Sequence, residues 1–175
     1  MKIYASASIV MSAFILGSAA QAHSASDAYL NLSLDDDHRG GRFVVHGQWD
    51  IALRDLDFVL KLDDDGDGRL TWGEVRHHQA DIERYAYAYL RFTGNSGTMC
   101  AIRPVRQMID DHADGTYVAL FFDVVCRQAP VRLRLDYNLF FAIDPSHRGI
   151  FVMNTGANVA TAVLSPQNAA IDLAL

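Results

Sequence analysis

The spacing of apolar residues near the start of the chain predicts a β-hairpin. Leu30, Leu32 and Leu34 alternate with polar residues, as in a strand with one buried face. A polar segment, 35–41, follows and ends in two glycines, which is typical of a turn. A second strand is predicted over 42–49, so the two strands are expected to pair across the turn.

The spacing becomes helical over 51–90. Over 51–62 the apolar residues recur every three or four positions, with Asp50 as a candidate N-cap. A second helix is predicted over 72–90 and is expected to end before the Gly-, Asn- and Ser-rich segment 93–98.

The remainder of the chain is typical of β-structure. Pro104 favours an edge position for the first of these strands, and the polar cluster 110–115 favours a turn after it. The tail 159–175 is apolar without a clear period and stays unassigned. Strands are predicted over 101–108, 116–125, 131–143 and 149–153.

This order of elements predicts the α+β class. We expect one mainly antiparallel β domain over 23–175, with one helix–loop–helix of the EF-hand type inserted at about 51–90.

The first 22 residues have the features of a signal peptide. Met1-Lys2 is a short basic start, an apolar run extends over 9–20, and Ala20 and Ala22 fit an A-x-A cleavage site. An uncleaved membrane anchor is the alternative. No later stretch approaches the roughly 20 apolar residues that a membrane-spanning helix needs. We therefore expect a periplasmic or secreted protein without a membrane span after cleavage near Ala22.

Charge and cysteine content narrow the function classes. The formal net charge of -6 argues against nucleic acid as a partner, because phosphate binding needs clustered Lys and Arg. The two cysteines, Cys100 and Cys126, predict a disulfide in an exported chain, with two buried free thiols as the alternative.

The segment 63–74 matches the pattern of an EF-hand calcium loop. Asp63, Asp65 and Asp67 occupy positions 1, 3 and 5, where alternate carboxylates converge on the ion. Gly68 occupies position 6, where the chain must turn sharply. The alternative is an acidic turn that binds no ion.

The second half of the loop supplies the other predicted ligands. Arg69, at position 7, contributes its backbone carbonyl, and Thr71, at position 9, ligates directly or through water. Glu74, at position 12, offers two oxygens, which favours calcium (Ca2+) over magnesium. The predicted ligands are Asp63, Asp65, Asp67, Arg69, Thr71 and Glu74.

A lone loop in an exported protein suggests a structural ion. No second loop of this pattern is present, since 110–115 lacks the alternation and the distal Glu. Calcium is abundant outside the cytoplasm, so a dissociation constant of roughly 10⁻⁴ to 10⁻³ M suffices there.

Histidines offer weaker hypotheses for transition metals. Cleavage after Ala22 would expose His23, whose amine and imidazole can chelate copper with a second histidine: His38, His46, His112 or His147. His77 and Asp81, four apart next to His78, could hold a metal, although a solvated helix face is the simpler interpretation. Nucleophile elbows, metalloprotease helices and phosphate-binding glycine loops are absent, so we expect no enzyme.

The segments 28–32 and 47–57, running into the calcium loop, resemble the extracytoplasmic N-terminal region of HupE/UreJ-type membrane proteins. In that family an export signal and a β-rich ectodomain precede a bundle of membrane helices linked to nickel or cobalt uptake. This chain ends at Leu175 without such a bundle. The resemblance therefore implies an ectodomain-like module that works alone or with a separate membrane protein, and an accessory role in nickel, cobalt or copper handling is the alternative function.

Overall fold

The computed structural model describes residues 26–34 and 43–175. The predicted signal peptide over 1–22, together with His23, His38 and the predicted turn over 35–41, lies outside the described residues.

The described part of the chain is mostly β-structure, arranged in one sheet of nine strands. The strands are β1 (Asp27–Leu34), β2 (Phe43–Ala52), β3 (Leu90–Thr93), β4 (Met99–His112), β5 (Gly115–Cys126), β6 (Arg132–Tyr137), β7 (Arg148–Asn154), β8 (Val159–Leu164) and β9 (Ala170–Ala174). Their order across the sheet is β8-β7-β1-β2-β5-β4-β3-β6-β9. The sheet curls until its edge strands β8 and β9 approach each other, so it is nearly closed.

Short helices connect β2 to β3. They are α1 (Leu53–Leu60), α2 (Trp72–His77) and α3 (Gln79–Ala88), and a single 3-10 turn, Asn95–Gly97, follows β3. Leu56, Val75, Ile82 and Ala86 from these helices are buried and join the core inside the sheet. The core thereby fixes the helices, and with them the loop between α1 and α2.

The predicted fold class is wrong. The structure is mostly β. Its sheet is mixed, because β1 runs parallel to β7. The chain does not form an antiparallel α+β domain with an inserted EF-hand helix–loop–helix. Two physical reasons explain the error. The tail adds two strands, and the helices are only 8, 6 and 10 residues long.

The N-terminal hairpin is present where the alternation predicted it. β1 pairs antiparallel with β2, and Leu30 lies opposite Trp49 with both side chains fully buried. Gly47 faces the same interior. A Cβ at this position would lie 2.3 Å from the ring of Phe122, so the close approach of strand and ring requires glycine.

The predicted helix boundaries need correction. Asp50 does not cap a helix; it lies in β2, which continues through Ile51 and Ala52 because both are buried against β5. The predicted helix over 72–90 is broken at His78, which lies between α2 and α3 with φ -90° and ψ 12°.

The predicted turn over 110–115 is also shorter than expected. Asp110, Asp111 and His112 continue β4, and only Ala113 and Asp114 form the turn to β5. Asp110 and His112 therefore project from a strand and have fixed positions on the sheet.

The predicted disulfide is confirmed. Cys100 and Cys126 are joined with an S–S distance of 2.01 Å, which links the start of β4 to the end of β5. Such bonds persist in oxidising compartments such as the periplasm or the extracellular space. None of the described helices has the length and apolar composition that crossing a membrane requires.

Candidate metal centre

The acidic loop, defined as Asp63–Glu74, begins at a fixed point on the core. After α1 ends, Lys61 takes the left-handed conformation (φ 56°) and its N–H donates to the carbonyl of Asp57 at 2.9 Å. The Asp57 carboxylate accepts the N–H of Leu62 at 2.8 Å, and the Leu62 side chain is fully buried. The first loop residue, Asp63, therefore leaves the core in a defined direction.

Asp63 organises the tight part of the acidic loop. Its two carboxylate oxygens accept the N–H groups of Gly66 and Gly68, each at 2.8 Å. Both glycines have positive φ, 73° and 79°, which other residues adopt only with strain. Gly68 thus has the conformational role that the sequence pattern predicted for it.

The other two aspartates repeat this local bonding. Asp65 accepts the N–H of Asp67 at 3.1 Å, and Asp67 accepts the N–H of Arg69 at 2.8 Å. Asp63, Asp65 and Asp67 each place a carboxylate oxygen within 4.8 Å of the others. Oxygens so arranged suit a hard cation such as calcium, since in its absence their negative charges repel.

Thr71 and Glu74 close the acidic loop. The Thr71 hydroxyl accepts the N–H of Glu74 at 3.4 Å, and the Glu74 carboxylate accepts the N–H of Thr71 at 2.8 Å, which forms a capping box at the start of α2. Glu74 also accepts the N–H of Asp64 at 3.0 Å. The backbone and side chain of Thr71 hold the pKa of Glu74 below its usual value.

The six predicted ligands are thus placed unequally. Asp63, Asp65 and Asp67 are brought together, whereas Glu74 lies beside them, bonded to the two ends of the acidic loop. Beside the acidic loop lies an open cleft of about 620 Å³, bounded on its other side by the β4–β5 turn. Its acidic lining residues are Asp57, Asp63, Asp111 and Asp114.

A histidine cluster that the sequence did not predict lies on the other side of the acidic loop. Asp64 is 2.8 Å from Nδ1 of His77 and 2.9 Å from Nε2 of His78, and these three residues form the histidine cluster. The hydrogen bond to Asp64 raises the pKa of His78. The predicted pairing of His77 with Asp81 is corrected, because His78 is the histidine beside Asp81, at 3.3 Å.

A second unpredicted group lies on the sheet. We call Asp50, Asp110 and His112 the sheet site: one imidazole nitrogen and two carboxylate oxygens lie within 4.8 Å of one another. The sequence named His112 only as a possible copper partner of His23 and did not connect it with the other two, since Asp50 was interpreted as a helix cap and Asp110 and His112 as parts of a turn.

His147 is buried in the core, where hydrogen bonds hold its imidazole. Tyr137 donates its hydroxyl to Nε2 at 2.7 Å, Nδ1 donates to the Ser26 hydroxyl at 2.7 Å, and Ser26 donates to Asp55 at 2.7 Å. Each donor in this series of hydrogen bonds has one acceptor, which suits a neutral imidazole. Burial lowers the pKa of His147 to about 4. The predicted copper candidates therefore separate: His147 lies in the core, His112 in the sheet site, and His46 pairs with Asp123 at 2.7 Å.

Comparison with known proteins adds no family. No protein-family model matches the chain, and no curated protein matches its sequence. The resemblance to HupE/UreJ-type proteins stays a prediction.

Proposed function

We propose that this protein is an exported, non-catalytic module that binds one calcium ion in the acidic loop. The convergence of the Asp63, Asp65 and Asp67 carboxylates within 4.8 Å of one another supports the proposal most directly. The proposed ligands are Asp63, Asp65, Asp67, the carbonyl of Arg69, Thr71 and Glu74.

The donor set favours calcium over softer metals. All the proposed ligands are oxygens, and calcium accepts six to eight of them at about 2.3 to 2.6 Å in flexible geometry. The Thr71 hydroxyl is already used in the capping box, so its contribution runs through a bridging water. Glu74 completes the set when it exchanges its bond to the Asp64 N–H for the ion.

The proposed role of the ion is structural. Leu62 directly precedes the acidic loop and Val75 directly follows it, and both side chains are fully buried in the core. An ion between these points neutralises the carboxylates and joins α1 to α2, so its binding energy stabilises the fold. An exported protein meets enough calcium for an affinity of roughly 10⁻⁴ to 10⁻³ M.

The test is a thermal melt of the purified protein with millimolar calcium and with a chelator. We expect calcium to raise the Tm of the native protein and expect Asp63→Asn and Glu74→Gln to abolish the rise. Asp64→Asn is the matched control, because this carboxylate lies in the same loop but contacts His77 and His78. The absence of a shift in the native protein, or equal shifts in the Asp63 and Asp64 variants, would contradict the proposal.

A second candidate function is an extracytoplasmic accessory role in nickel, cobalt or copper handling with a separate membrane protein. The histidine cluster favours it, because imidazole nitrogen suits these ions. A titration with Ni²⁺ or Cu²⁺ in excess calcium tests it. Stoichiometric binding that His77→Gln and His78→Gln abolish but His112→Gln keeps would favour this role, and no binding at micromolar ion would exclude it.

A further inference from the structure

We propose that the sheet site, Asp50 with Asp110 and His112, binds one divalent first-row transition-metal ion such as Zn²⁺. This site lies on the sheet, apart from the acidic loop, and its occupancy does not depend on calcium binding.

Strand pairing builds the site from two distant segments. β5 lies between β2 and β4, and in this register Asp50 lies opposite Ala119, which lies opposite Met108. Paired residues share a face of the sheet, and alternate residues of β4 place Asp110 and His112 on that same face. The side chains of Asp50, Asp110 and His112 therefore converge on this face.

The distances within the site fit coordination better than hydrogen bonding. Nε2 of His112 lies 3.6 Å from Oδ2 of Asp50 and 3.8 Å from Oδ2 of Asp110. Both separations exceed the usual range of an N–H···O hydrogen bond. Ligand atoms in a tetrahedral zinc site lie about 3.3 to 3.6 Å apart when each bond is about 2.0 to 2.2 Å long. The three ligand atoms lie within 4.8 Å of one another, so an inward movement of the exposed Asp110 side chain would bring them to these separations.

The surrounding residues hold two of these ligands in place. Nε2 of Gln48 donates to both oxygens of Asp50, at 2.9 and 3.1 Å. The ring of Tyr117 stacks on the His112 imidazole at 4.2 Å, and the ring of Tyr29 lies 5.3 Å away. Such outer contacts orient metal ligands and raise affinity.

Burial makes the negative charge of Asp50 unfavourable unless a cation lies beside it. Its residue is only 4% exposed, and Gln48, its hydrogen-bond donor, is neutral. A carboxylate removed from water without a cation is costly. His112 supplies a positive charge only when it is protonated, whereas a bound divalent ion offsets the cost while His112 stays neutral. His112 is less buried and Asp110 is exposed, so an ion has a route from solvent on that side.

The histidine cluster is a weaker site for the same ion. Its nitrogens lie 2.8 and 2.9 Å from Asp64, so these groups already satisfy one another through hydrogen bonds. A metal there would first have to break both contacts. In the sheet site His112 is too far from either carboxylate for a hydrogen bond, so a metal breaks no such bond of this histidine.

The chemistry of the ligands defines the class of ion. One imidazole and two carboxylates suit Zn²⁺ and its first-row neighbours, while calcium prefers oxygen ligands alone. Three protein ligands leave at least one position for water or an external donor.

A calorimetric titration with Zn²⁺ tests the proposal. The full protein is held in millimolar calcium, so that the acidic loop does not compete for zinc. We expect one site, with His112→Gln weakening binding about a hundredfold and Gln48→Ala weakening it about tenfold or more. His46→Gln is the matched control, because His46 lies on the same face of β2 beside Asp123 and should leave binding unchanged.

Two further measurements keep the outcome decisive. Far-UV circular dichroism without metal verifies that each variant folds, and Co²⁺ absorption reports coordination directly, so His112→Gln should remove the visible bands of the native complex. The proposal is overturned if the native protein binds no zinc at micromolar concentration, if His112→Gln binds as tightly as the native protein, or if only His77→Gln and His78→Gln lose the site.

Discussion

The acidic loop and the sheet site both gather carboxylates, but they are assembled in opposite ways. All six proposed calcium ligands lie within one segment of the chain, and the bonds that shape them join near neighbours, such as Asp63 with Gly66 and Gly68. Asp50 instead meets Asp110 and His112 only after β5 has paired with both β2 and β4. The loop depends on local sequence, whereas the sheet site depends on the whole fold.

This difference predicts how each site responds to amino-acid substitutions. A change in the core should weaken the sheet site together with global stability. A change in the acidic loop should leave the sheet site nearly intact. We expect three perturbations to lower stability by decreasing amounts, and the first and third of them also compare the two sites.

Trp49→Ala should have the largest effect. Trp49 is fully buried and lies between Gln48 and Asp50 in β2. Loss of a large aromatic side chain from a core costs about 3 to 5 kcal/mol of unfolding free energy. Urea unfolding should show this loss, and zinc binding should weaken in parallel.

The control for this variant is Trp72→Ala, because Trp72 is about half exposed at the start of α2. It should change the unfolding free energy by less than about 1 kcal/mol. Equal losses in the two variants would contradict the described core.

Acid should destabilise the fold through His147. Burial lowers its pKa to about 4, whereas the unfolded chain has a value near 6.5, so between these limits the unfolded state binds more protons. The contribution of neutral, buried His147 to the unfolding free energy is therefore fully present above about pH 6.5. It is lost as the pH falls towards 4, by about 3 kcal/mol in total. Urea unfolding over this pH range measures the slope.

His147→Gln should flatten that slope, at some cost in stability at neutral pH, since glutamine does not titrate. His46→Gln is the control and should keep the slope, because His46 lies on the exposed face of β2. A slope that persists unchanged in His147→Gln would assign the acid sensitivity to other groups.

Thr71→Ala should have the smallest effect on global stability. It removes the capping box at the start of α2, and loss of such a cap costs about 1 kcal/mol. Amide exchange should accelerate in α2 and calcium binding should weaken, since the cap also positions Glu74. Zinc binding at the sheet site should not change.

Thr161→Ala is its control, because Thr161 is exposed on the edge strand β8 and caps no helix. It should leave amide exchange in α2 and calcium binding as in the native protein. A comparable loss of zinc binding in Thr71→Ala would show that the two sites are coupled through the fold.

The sequence predicted those parts of the fold that depend on neighbouring residues. The alternation of Leu30, Leu32 and Leu34 identified β1, because one face of that strand is buried. The tail gave no such signal, since β8 is exposed along most of its length and lies at an edge. The parallel pairing of β1 with β7 depends on distant parts of the chain, so no local pattern could predict it.

The same limit applies to the two proposed metal sites. The spacing of Asp63, Asp65 and Asp67 predicted the acidic loop, and the structure brings these three carboxylates together. Asp50 and His112 are far apart in sequence, and only the register of β2, β5 and β4 places them side by side. The break at His78 was missed as well, because neither Pro nor Gly marks it.

The position of β1 has a consequence for the time course of folding. β1 is the first strand of the chain, yet one of its two neighbours is β7, where Arg148 pairs with Asp27. Until β7 has been synthesised, β1 has an open edge, which is where strands of different chains associate. Pairings at such long range also slow folding to the millisecond-to-second range. A chain truncated before Arg148 would therefore keep this edge exposed and should aggregate.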